Sequence, residues 1–361
     1  LTLSAKSDYV HGYLVREDTV DEHGVAFNRR NLYNVMSLLR TSAQRGVPDL
    51  ECDGNTISSD LGKATTFNNF FVEQSRQSLH GCTGPPPPIH TPRVTDRTLQ
   101  DVTATEVEVL ELLRHIDTNK SAGPDGIPSI LLKLTADRIA PSLTIIFNHS
   151  FTHGQVPRDW RDAMVSPIFK KGSRACPTNY RPISLLPVVS KLQERIAHKA
   201  LYRHIQPHLP PEQSGFRKND STEYQIIRLL HELAADLEVK KSVHVCFFDL
   251  SKAFDHVWHR GLLHKLEHHG VRGAALRWFE SYLLGRRQRV RIGSTASDWL
   301  AIPAGVPQGS VLGPLLFLVY TMDLPAACNS EATRSSLFAD DTALIASDHS
   351  AAAAERALQS S

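Results

Sequence analysis

The spacing of apolar residues predicts several amphipathic helices along the chain. Thr103 and Glu106 fit a capping box at the start of one of them. The apolar positions of that helix recur every three or four residues: Val107, Leu110, Leu113 and Ile116. Helical spacing also marks residues 32–39, 63–71, 129–134, 139–151, 188–205 and 260–284.

A further helix is predicted to begin near Ser221. Asp220 and Ser221, followed by Glu223, supply the polar residues that commonly open a helix. Apolar residues then follow at spacings of four, three and four: Ile226, Leu230, Leu233 and Leu237. These four side chains are expected to form the apolar face of the helix.

Alternating apolar and polar residues predict the strands. In SVHVCFFD, Val243, Val245 and Phe247 share one face with Asp249, so a carboxylate ends a largely buried strand. In SLFADDTALIAS, two apolar runs flank Asp340 and Asp341, which predicts a hairpin with both aspartates at its tip. Strand-like patterns also occur in MVSPIFKKG, NYRPISLLP and RRQRVRIG.

A proline run separates the first part of the chain from these elements. GCTGPPPPIHTPR, residues 81–93, is expected to be extended, because consecutive prolines cannot pack as helix or strand interior. We interpret it as a linker after a mixed, polar N-terminal stretch in which no residue pattern indicates chemistry.

Composition narrows the class of protein only a little. A hydrophobic content of 41% and a formal charge of +2 fit an ordinary globular protein and neither support nor exclude a locally basic nucleic-acid channel. The five cysteines are far apart and lack C-x-x-C spacing, which argues against a zinc site or a disulfide framework. The longest apolar run, Val311 to Tyr320, is shorter than the ~20 residues of a membrane span. We expect an intracellular protein, nuclear or cytoplasmic, and not a secreted one.

Three aspartates suggest metal chemistry. Asp249 and Asp340 are 340 − 249 = 91 residues apart, but adjacent strands of one sheet would bring them together with Asp341. Clustered carboxylates repel one another unless cations lie between them, and hard oxygen ligands suit Mg²⁺, or Mn²⁺ in its place. Two such ions about 3.5–4 Å apart can serve nucleotidyl transfer. Taken alone, however, an Asp-Asp pair in a turn is more often ordinary turn chemistry.

The motifs resemble those of a known family. FFDLSKAFDHVWHRGLLHKL, GVPQGSVLGPLLF and FADD, in that order, look like the three central palm motifs of reverse transcriptases. SAGPDGIPSILLK and NYRPISLLPVVSKLQE resemble fingers motifs, and QSGFRKNDST resembles the phrase before the first palm strand. The residues of these motifs are most similar to those of the reverse transcriptases of non-LTR (LINE-type) retrotransposons, and the resemblance covers roughly residues 100–350.

This resemblance implies an RNA-directed DNA polymerase that uses an RNA template, a DNA primer and dNTPs. It implies that Asp249 binds both metal ions, that Asp340 is the second metal ligand, and that Asp341 supports the pair. Phe254 would lie against the sugar 2′-position and exclude ribonucleotides. The residues implied to contact the triphosphate or the template–nucleotide pair are Lys170 or Lys171, Arg181, Gln308 and Gly309.

A basic stripe adds a candidate nucleic-acid contact. Arg287, Arg289 and Arg291 alternate onto one strand face, which could follow a phosphate backbone. A solvated hairpin face explains the same pattern equally well, so both interpretations stay open.

The implied architecture is α+β, a right-hand polymerase fold with an antiparallel palm sheet, helices and a fingers subdomain. Residues 1–95 would be an N-terminal extension with the proline-rich linker, residues 96–235 mainly fingers, and residues 236–361 a C-terminally truncated palm. The thumb is expected to be missing, so we expect little processive synthesis by this chain alone. The alternatives are an inactive remnant that at most binds nucleic acid, and an RNA-directed RNA polymerase, which Phe254 disfavours.

Overall fold

The computed structural model describes residues 46–360 except residues 53, 78, 80, 81, 83 and 95. From Asp49 onward the chain forms one compact unit. The helix predicted at residues 32–39 lies outside the described residues, and so does part of the predicted linker. Residues 85–89 have no regular secondary structure, as the proline run predicts.

A three-stranded antiparallel sheet contains the predicted aspartates. Its strands are β5 (Ser242–Asp249), β9 (Thr333–Phe338) and β10 (Asp341–Asp348), with β10 in the centre. Asp341 is the cross-strand partner of Asp249 on one side and of Phe338 on the other. The sheet therefore brings together aspartates that are far apart in sequence, as the strand pattern predicts.

A second, mixed sheet lies in the same unit. Its order is β4 (Tyr180–Leu185), β3 (Asp162–Phe169), β6 (Arg287–Ile292) and β7 (Thr295–Ala296), with β8 (Leu300–Ala301) also paired to β6. The β3–β6 pair is parallel and the others are antiparallel. Two short strands precede this sheet in the chain: β1 (Leu50–Cys52) and β2 (Asn55–Ile57).

The helices surround one hydrophobic core. Their bounds are α1 Asp60–Gln77, α2 Glu106–Arg114, α3 Ser129–Leu134, α4 Ala136–His153, α5 Val188–Ile205, α6 Thr222–Glu238, α7 His259–His268, α8 Gly273–Leu283, α9 Gly313–Thr321, α10 Leu324–Cys328 and α11 Ala351–Ser360. Large buried side chains of the core include Phe147, Phe151, Trp278, Phe279, Tyr282 and Phe317. Helix α1 packs on β6, β7 and β8, and α11 packs on β5 and β10.

The start of α2 differs from its prediction. The cap is Thr105, whose hydroxyl accepts a hydrogen bond from the Glu108 N–H, rather than Thr103. The helix consequently buries Val109 and Leu113, while Val107 is 69% exposed. A threonine also stands two residues later, in the right position for a cap, and the capping-box pattern did not discriminate between the two.

Two further expectations need correction. Strand β5 was expected to be largely buried, but it is an edge strand with β10 as its partner, and Phe247 is 74% exposed. Residues 260–284 were expected to be one helical region, but α7 and α8 are separated by Gly270, whose φ of +86° ends the first helix.

Helix α6 turns polar residues inward and apolar residues outward. Its N-cap is Ser221 as predicted, yet Ile226, Leu230 and Leu237 of the expected apolar face are exposed. Gln225 and Asp236 are buried instead. They are held by polar groups of β9, because Ser336 accepts a hydrogen bond from Gln225 and Arg334 pairs with Asp236.

Candidate active site

One cleft of about 470 Å³ collects most of the residues predicted to act on a nucleotide. Predicted residues that line it are Lys170, Lys171, Arg181, Asp249, Phe254, Gln308 and Asp340. Its walls come from the β3–β4 connection and β4 of the mixed sheet, and from the end of β5 and the β9–β10 turn of the antiparallel sheet. Gly309 and Asp341 are not among its lining residues.

The acidic side of the cleft is formed by Asp249 and Asp340. Asp249 is the last residue of β5, and Asp340 lies in the two-residue turn between β9 and β10. Asp341, the first residue of β10, lines an adjoining groove with Phe247 and Phe338 instead. Of the three aspartates predicted to share the site, Asp249 and Asp340 therefore line the cleft and Asp341 does not.

These two carboxylates fit a magnesium site that substrate completes. Within the described part of the chain, no group of three or more His, Cys, Asp or Glu side chains is arranged to hold a metal ion. Mg²⁺ usually takes one or two carboxylates and fills its remaining positions with water and substrate phosphates. Asp249 and Asp340 supply that number of carboxylate ligands.

Exposed cations line the other sheet's side of the cleft. Lys170 and Lys171 directly follow β3, and Arg181 is the second residue of β4. The Lys170 N–H donates to the Asn179 carbonyl oxygen at 2.8 Å, which extends the β3–β4 pairing up to the lysines. All three side chains are exposed, so their charges are available to a ligand in the cleft.

Phe254 lines the cleft, and its position is fixed by contacts with the hydrophobic core. Its ring stacks on Phe317 of α9 at 4.8 Å between centroids, and Phe216 approaches it edge-on at 6.0 Å. The Val306 N–H donates to the Phe254 carbonyl oxygen at 2.8 Å. The residue is therefore partly a core phenylalanine and partly a cleft residue, because it is half-buried against the core and also lines the cleft.

The loop of residues 305–310 is anchored to strand β4 and to the segment that follows β5. Gln308 donates from Nε2 to both carboxylate oxygens of Asp255 at 2.9 Å, and the Ser184 N–H donates to the Gln308 carbonyl oxygen at 2.7 Å. Gly309 has a φ of +106°, and a Cβ there would lie 2.8 Å from the Ser184 carbonyl oxygen. Glycine is required at this position because the chain passes too close to β4 for any side chain.

Burial changes the acidity of Asp255. Loss of solvent raises the pKa of this carboxyl to about 6, and the Gln308 hydrogen bond and the Lys252 charge only partly oppose that effect. Lys252 also lines the cleft, with a φ of +53°, and burial lowers its pKa. The sequence pattern did not single out either residue, since both lie inside the motif that was assigned for Asp249 and Phe254.

Glu194 joins α5 to the start of α9. It is 1% exposed, and its Oε2 accepts hydrogen bonds from the main-chain N–H groups of Val311 at 2.8 Å and Leu312 at 3.1 Å. The Tyr282 hydroxyl donates to the same oxygen at 3.3 Å. Burial raises the pKa of Glu194, while these N–H groups and the Arg286 charge oppose the rise. Sequence reasoning missed this residue, because one glutamate among the many charged residues of α5 gives no signal that it is buried.

The predicted basic stripe lies away from the cleft. Arg287 forms a two-pronged pair with Asp162, at 3.0 and 2.5 Å. Its guanidinium and that of Arg289 lie over the Trp299 ring, at 5.2 and 4.6 Å. Arg291 is exposed. Protein groups therefore already contact two of the three arginines, Arg287 and Arg289.

The cleft lies within a segment that matches a known family. The family model for "Reverse transcriptase (RNA-dependent DNA polymerase)" matches residues 168–360, more than half of the chain. That segment includes Asp249 and Asp340 of the cleft and the cations beside β3 and β4. The chain belongs to the reverse transcriptase family.

Curated relatives place it among non-LTR transposon proteins. A probable RNA-directed DNA polymerase from transposon BS of Drosophila melanogaster is 36% identical over 70% of this chain and 29% of its own length. The probable RNA-directed DNA polymerase from transposon X-element of Drosophila melanogaster is 31% identical over 86% of this chain and 35% of its own length. The RNA-directed DNA polymerase from mobile element jockey of Drosophila melanogaster is 32% identical over 70% of this chain and 28% of its own length. The chain spans about a third of the length of these relatives.

No helix in the described part of the chain is both long and apolar enough to cross a membrane.

Proposed function

We propose that this chain contains the nucleotide-adding site of an RNA-directed DNA polymerase. The observation that supports this proposal is that carboxylates of one sheet and cations of the other meet in one cleft: Asp249 and Asp340 on one side, and Lys170, Lys171 and Arg181 on the other. An acidic side can hold cations and a basic side can hold a triphosphate, and nucleotidyl transfer requires both in one place.

In the proposed reaction, the 3′-oxygen of a DNA primer forms a bond to the α-phosphorus of a dNTP. The bond from that phosphorus to the bridging oxygen breaks, and pyrophosphate leaves with its electron pair. Divalent cations at the acidic side would lower the cost of deprotonating the 3′-hydroxyl and neutralise charge on the leaving group. Asp249 and Asp340 would hold those cations, with Asp341 supporting the pair from the adjoining groove.

The remaining cleft residues would position and select the nucleotide. Arg181, with Lys170 or Lys171, would balance the charge of the triphosphate, and arginine can grip phosphate with two N–H groups. Phe254 would block the space that a ribose 2′-hydroxyl needs. Gln308 and Gly309 would contact the template–nucleotide pair, with RNA as the template.

The right-hand description is part of this proposal. Residues 96–235 would act mainly as fingers and residues 236–361 as palm, with β6 of the later range paired to β3 of the earlier range in the mixed sheet. Helix α1 would then belong with the polymerase unit rather than with a separate extension, because it packs on the mixed sheet and Gln74 at its end lines the cleft.

Single-nucleotide addition tests this function without requiring processive synthesis. The chain is mixed with poly(rA)/oligo(dT), dTTP and Mg²⁺, and primer longer by one residue is measured by gel. Asp249→Asn and Asp340→Asn are each expected to reduce addition by about a hundredfold or more, because each removes a charge that the transition state needs.

Asp348→Asn is the matched control, since Asp348 lies at the opposite end of β10. It should leave addition unchanged. Absence of addition by the folded wild-type chain would overturn the proposal and favour an inactive remnant. Unimpaired addition by Asp249→Asn would place the chemistry elsewhere.

A further inference from the structure

A glutamine outside the cleft forms hydrogen bonds with the turn that contains Asp340. The Gln213 side chain is 3% exposed. Its Nε2 donates to the Ala339 carbonyl oxygen at 3.1 Å, and its Oε1 accepts from the Ala339 N–H at 2.8 Å. A single side chain thus satisfies both main-chain polar groups of the residue immediately before Asp340.

Ala339 needs such support because of its backbone conformation. Its φ is +58°, in the left-handed region that is unfavourable for a residue other than glycine. Left-handed residues are common in two-residue hairpin turns, but there they are usually glycine, asparagine or aspartate. An alanine stays in that conformation only where surrounding groups fix it, and Gln213 supplies the fixing contacts.

The segment around Gln213 is itself tied to strand β9. The Leu337 N–H donates to the Glu212 carbonyl oxygen at 2.9 Å, and the Ser214 N–H donates to the Leu337 carbonyl oxygen at 3.0 Å. These bonds set the position of Gln213 relative to the turn. The glutamine is therefore held on both flanks before its side chain reaches Ala339.

Gly215 completes the support. Its N–H donates to the Gln213 Oε1 at 2.8 Å, which fixes the orientation of the side-chain amide. A Cβ at Gly215 would lie 2.1 Å from the Ala339 nitrogen, so only glycine lets the segment approach the turn this closely. The turn therefore requires the Gln213 amide to bond Ala339 and a glycine at position 215 to allow the close approach. These two requirements explain why Gln and Gly stand two residues apart in QSGFRKNDST.

We propose that Gln213 is a positioning residue that holds the strained Ala339–Asp340 turn and so directs the Asp340 carboxylate into the cleft. The inference rests on the proposed polymerase function for its catalytic consequence. The mechanical part, that Gln213 immobilises the turn, stands on the contacts alone. Gln213 touches neither nucleotide nor reacting atoms in this role.

The first test measures the turn directly. Gln213→Met keeps the length of the side chain and removes its three hydrogen bonds to Ala339 and Gly215. Hydrogen exchange, followed by mass spectrometry of peptides covering residues 337–341 and 213–216, reports on those N–H groups. We expect at least about tenfold faster exchange in the variant, as the loss of a buried hydrogen bond predicts.

Gln193→Met is the matched control. Gln193 is 1% exposed on α5 and outside the cleft, so this change replaces an equally buried glutamine with the same methionine. Exchange at residues 337–341 should match wild type in this control. Equal exchange in Gln213→Met and wild type would overturn the proposal, and so would an equal rise in both variants.

The second test measures the consequence for Asp340. In single-dTTP addition, Gln213→Met should lower kcat by about tenfold to a hundredfold, because misplacing a catalytic group by about 1 Å costs that much. The KM for primer–template should stay within about twofold, since the buried Gln213 side chain does not contact nucleic acid in this role. Gln213→Glu should restore part of kcat, because its carboxylate can still accept from Ala339 and Gly215.

The two tests separate the two claims. If the wild-type chain adds no nucleotide, the polymerase proposal fails, while the exchange measurement still decides whether Gln213 holds the turn. If exchange rises but kcat does not fall, Gln213 is structural and the positioning role is overturned.

Discussion

The Gln308 side-chain nitrogen donates to both carboxylate oxygens of Asp255 at the same distance, 2.9 Å. This pair links the segment that follows Asp249 to the loop that precedes α9. The Gln308 N–H₂ group faces Asp255, so its Oε1 is the atom of that amide left to accept a hydrogen bond from another group. The pair also makes the stability of the cleft depend on pH.

Asp255→Asn should stabilise the protein at neutral pH. The pKa of Asp255 is raised from 3.8 to about 6, so the folded state prefers the neutral carboxyl. Its contribution to stability is full below about pH 4 and is lost as pH rises through 6. That difference in pKa corresponds to at most about 3 kcal/mol. Urea unfolding should show the variant's advantage growing between pH 4 and pH 7, and a pH-independent difference would contradict this account.

Replacing Phe254 with valine should admit ribonucleotides. Removal of the ring opens the space beside the sugar, and we expect the preference for dTTP over UTP to fall by about tenfold to a hundredfold. The lost stacking on Phe317 should lower the free energy of unfolding by about 1–3 kcal/mol. Single-nucleotide addition with each triphosphate measures the preference. An unchanged preference in a folded variant would remove Phe254 from sugar selection.

Asp341→Asn should raise stability in low salt without metal. Asp341 lies directly opposite Asp249, and two like charges in that position repel. We expect a gain of about 0.5 kcal/mol, smaller at high ionic strength because salt screens exposed charges. Thermal unfolding at two salt concentrations measures it. Asp348→Asn faces Ser242 instead and should show no such gain.

Glu194→Leu should destabilise the protein strongly. The change leaves the N–H groups of Val311 and Leu312 without their acceptor in a buried site, which costs about 2–4 kcal/mol. Glu194→Gln retains an acceptor oxygen and should lose distinctly less. Urea unfolding of both variants compares them, and an equal loss would mean that the charge, rather than the hydrogen bonds, is what matters.

Leu230→Glu should be tolerated. Leu230 is exposed on α6, and surface substitutions usually change the free energy of unfolding by less than about 0.5 kcal/mol. The comparison is Leu201→Glu on α5, where the side chain is fully buried and an unpaired charge should prevent stable folding. Circular dichroism with thermal unfolding of both variants checks this. A large loss with Leu230→Glu would mean that α6 packs with its apolar face inward.

Periodicity predicted the elements better than their environments. Helix α5 and strand β5 have the bounds that their patterns gave, because propensity and alternation are local properties. The exposure of Leu230 and Phe247 could not be predicted in this way, since burial depends on which surfaces meet in space. The parallel pairing of β3 with β6 could not be predicted from the sequence pattern either, because no local signal connects Asp162 to Arg287.

The same limit applies to the candidate site. Motif resemblance named Asp249, Asp340 and Gln308, and the cleft contains all three. It assigned no role to Gln213 or Glu194, because each acts through main-chain groups of a distant loop. Such contacts follow from the tertiary fold and have no residue pattern of their own.

Strand β5 is synthesised well before β10, the strand with which it pairs. Asp249 leaves the ribosome 341 − 249 = 92 residues before its cross-strand partner Asp341. At about 5–20 residues per second, that interval is about 5–18 s. Throughout it, β5 has no strand to pair with, since β10 is its neighbour in the sheet. During that interval the apolar side chains of β5 lack their partner strand and are available to chaperones. The yield of folded protein should therefore depend on the speed of translation over residues 250–348.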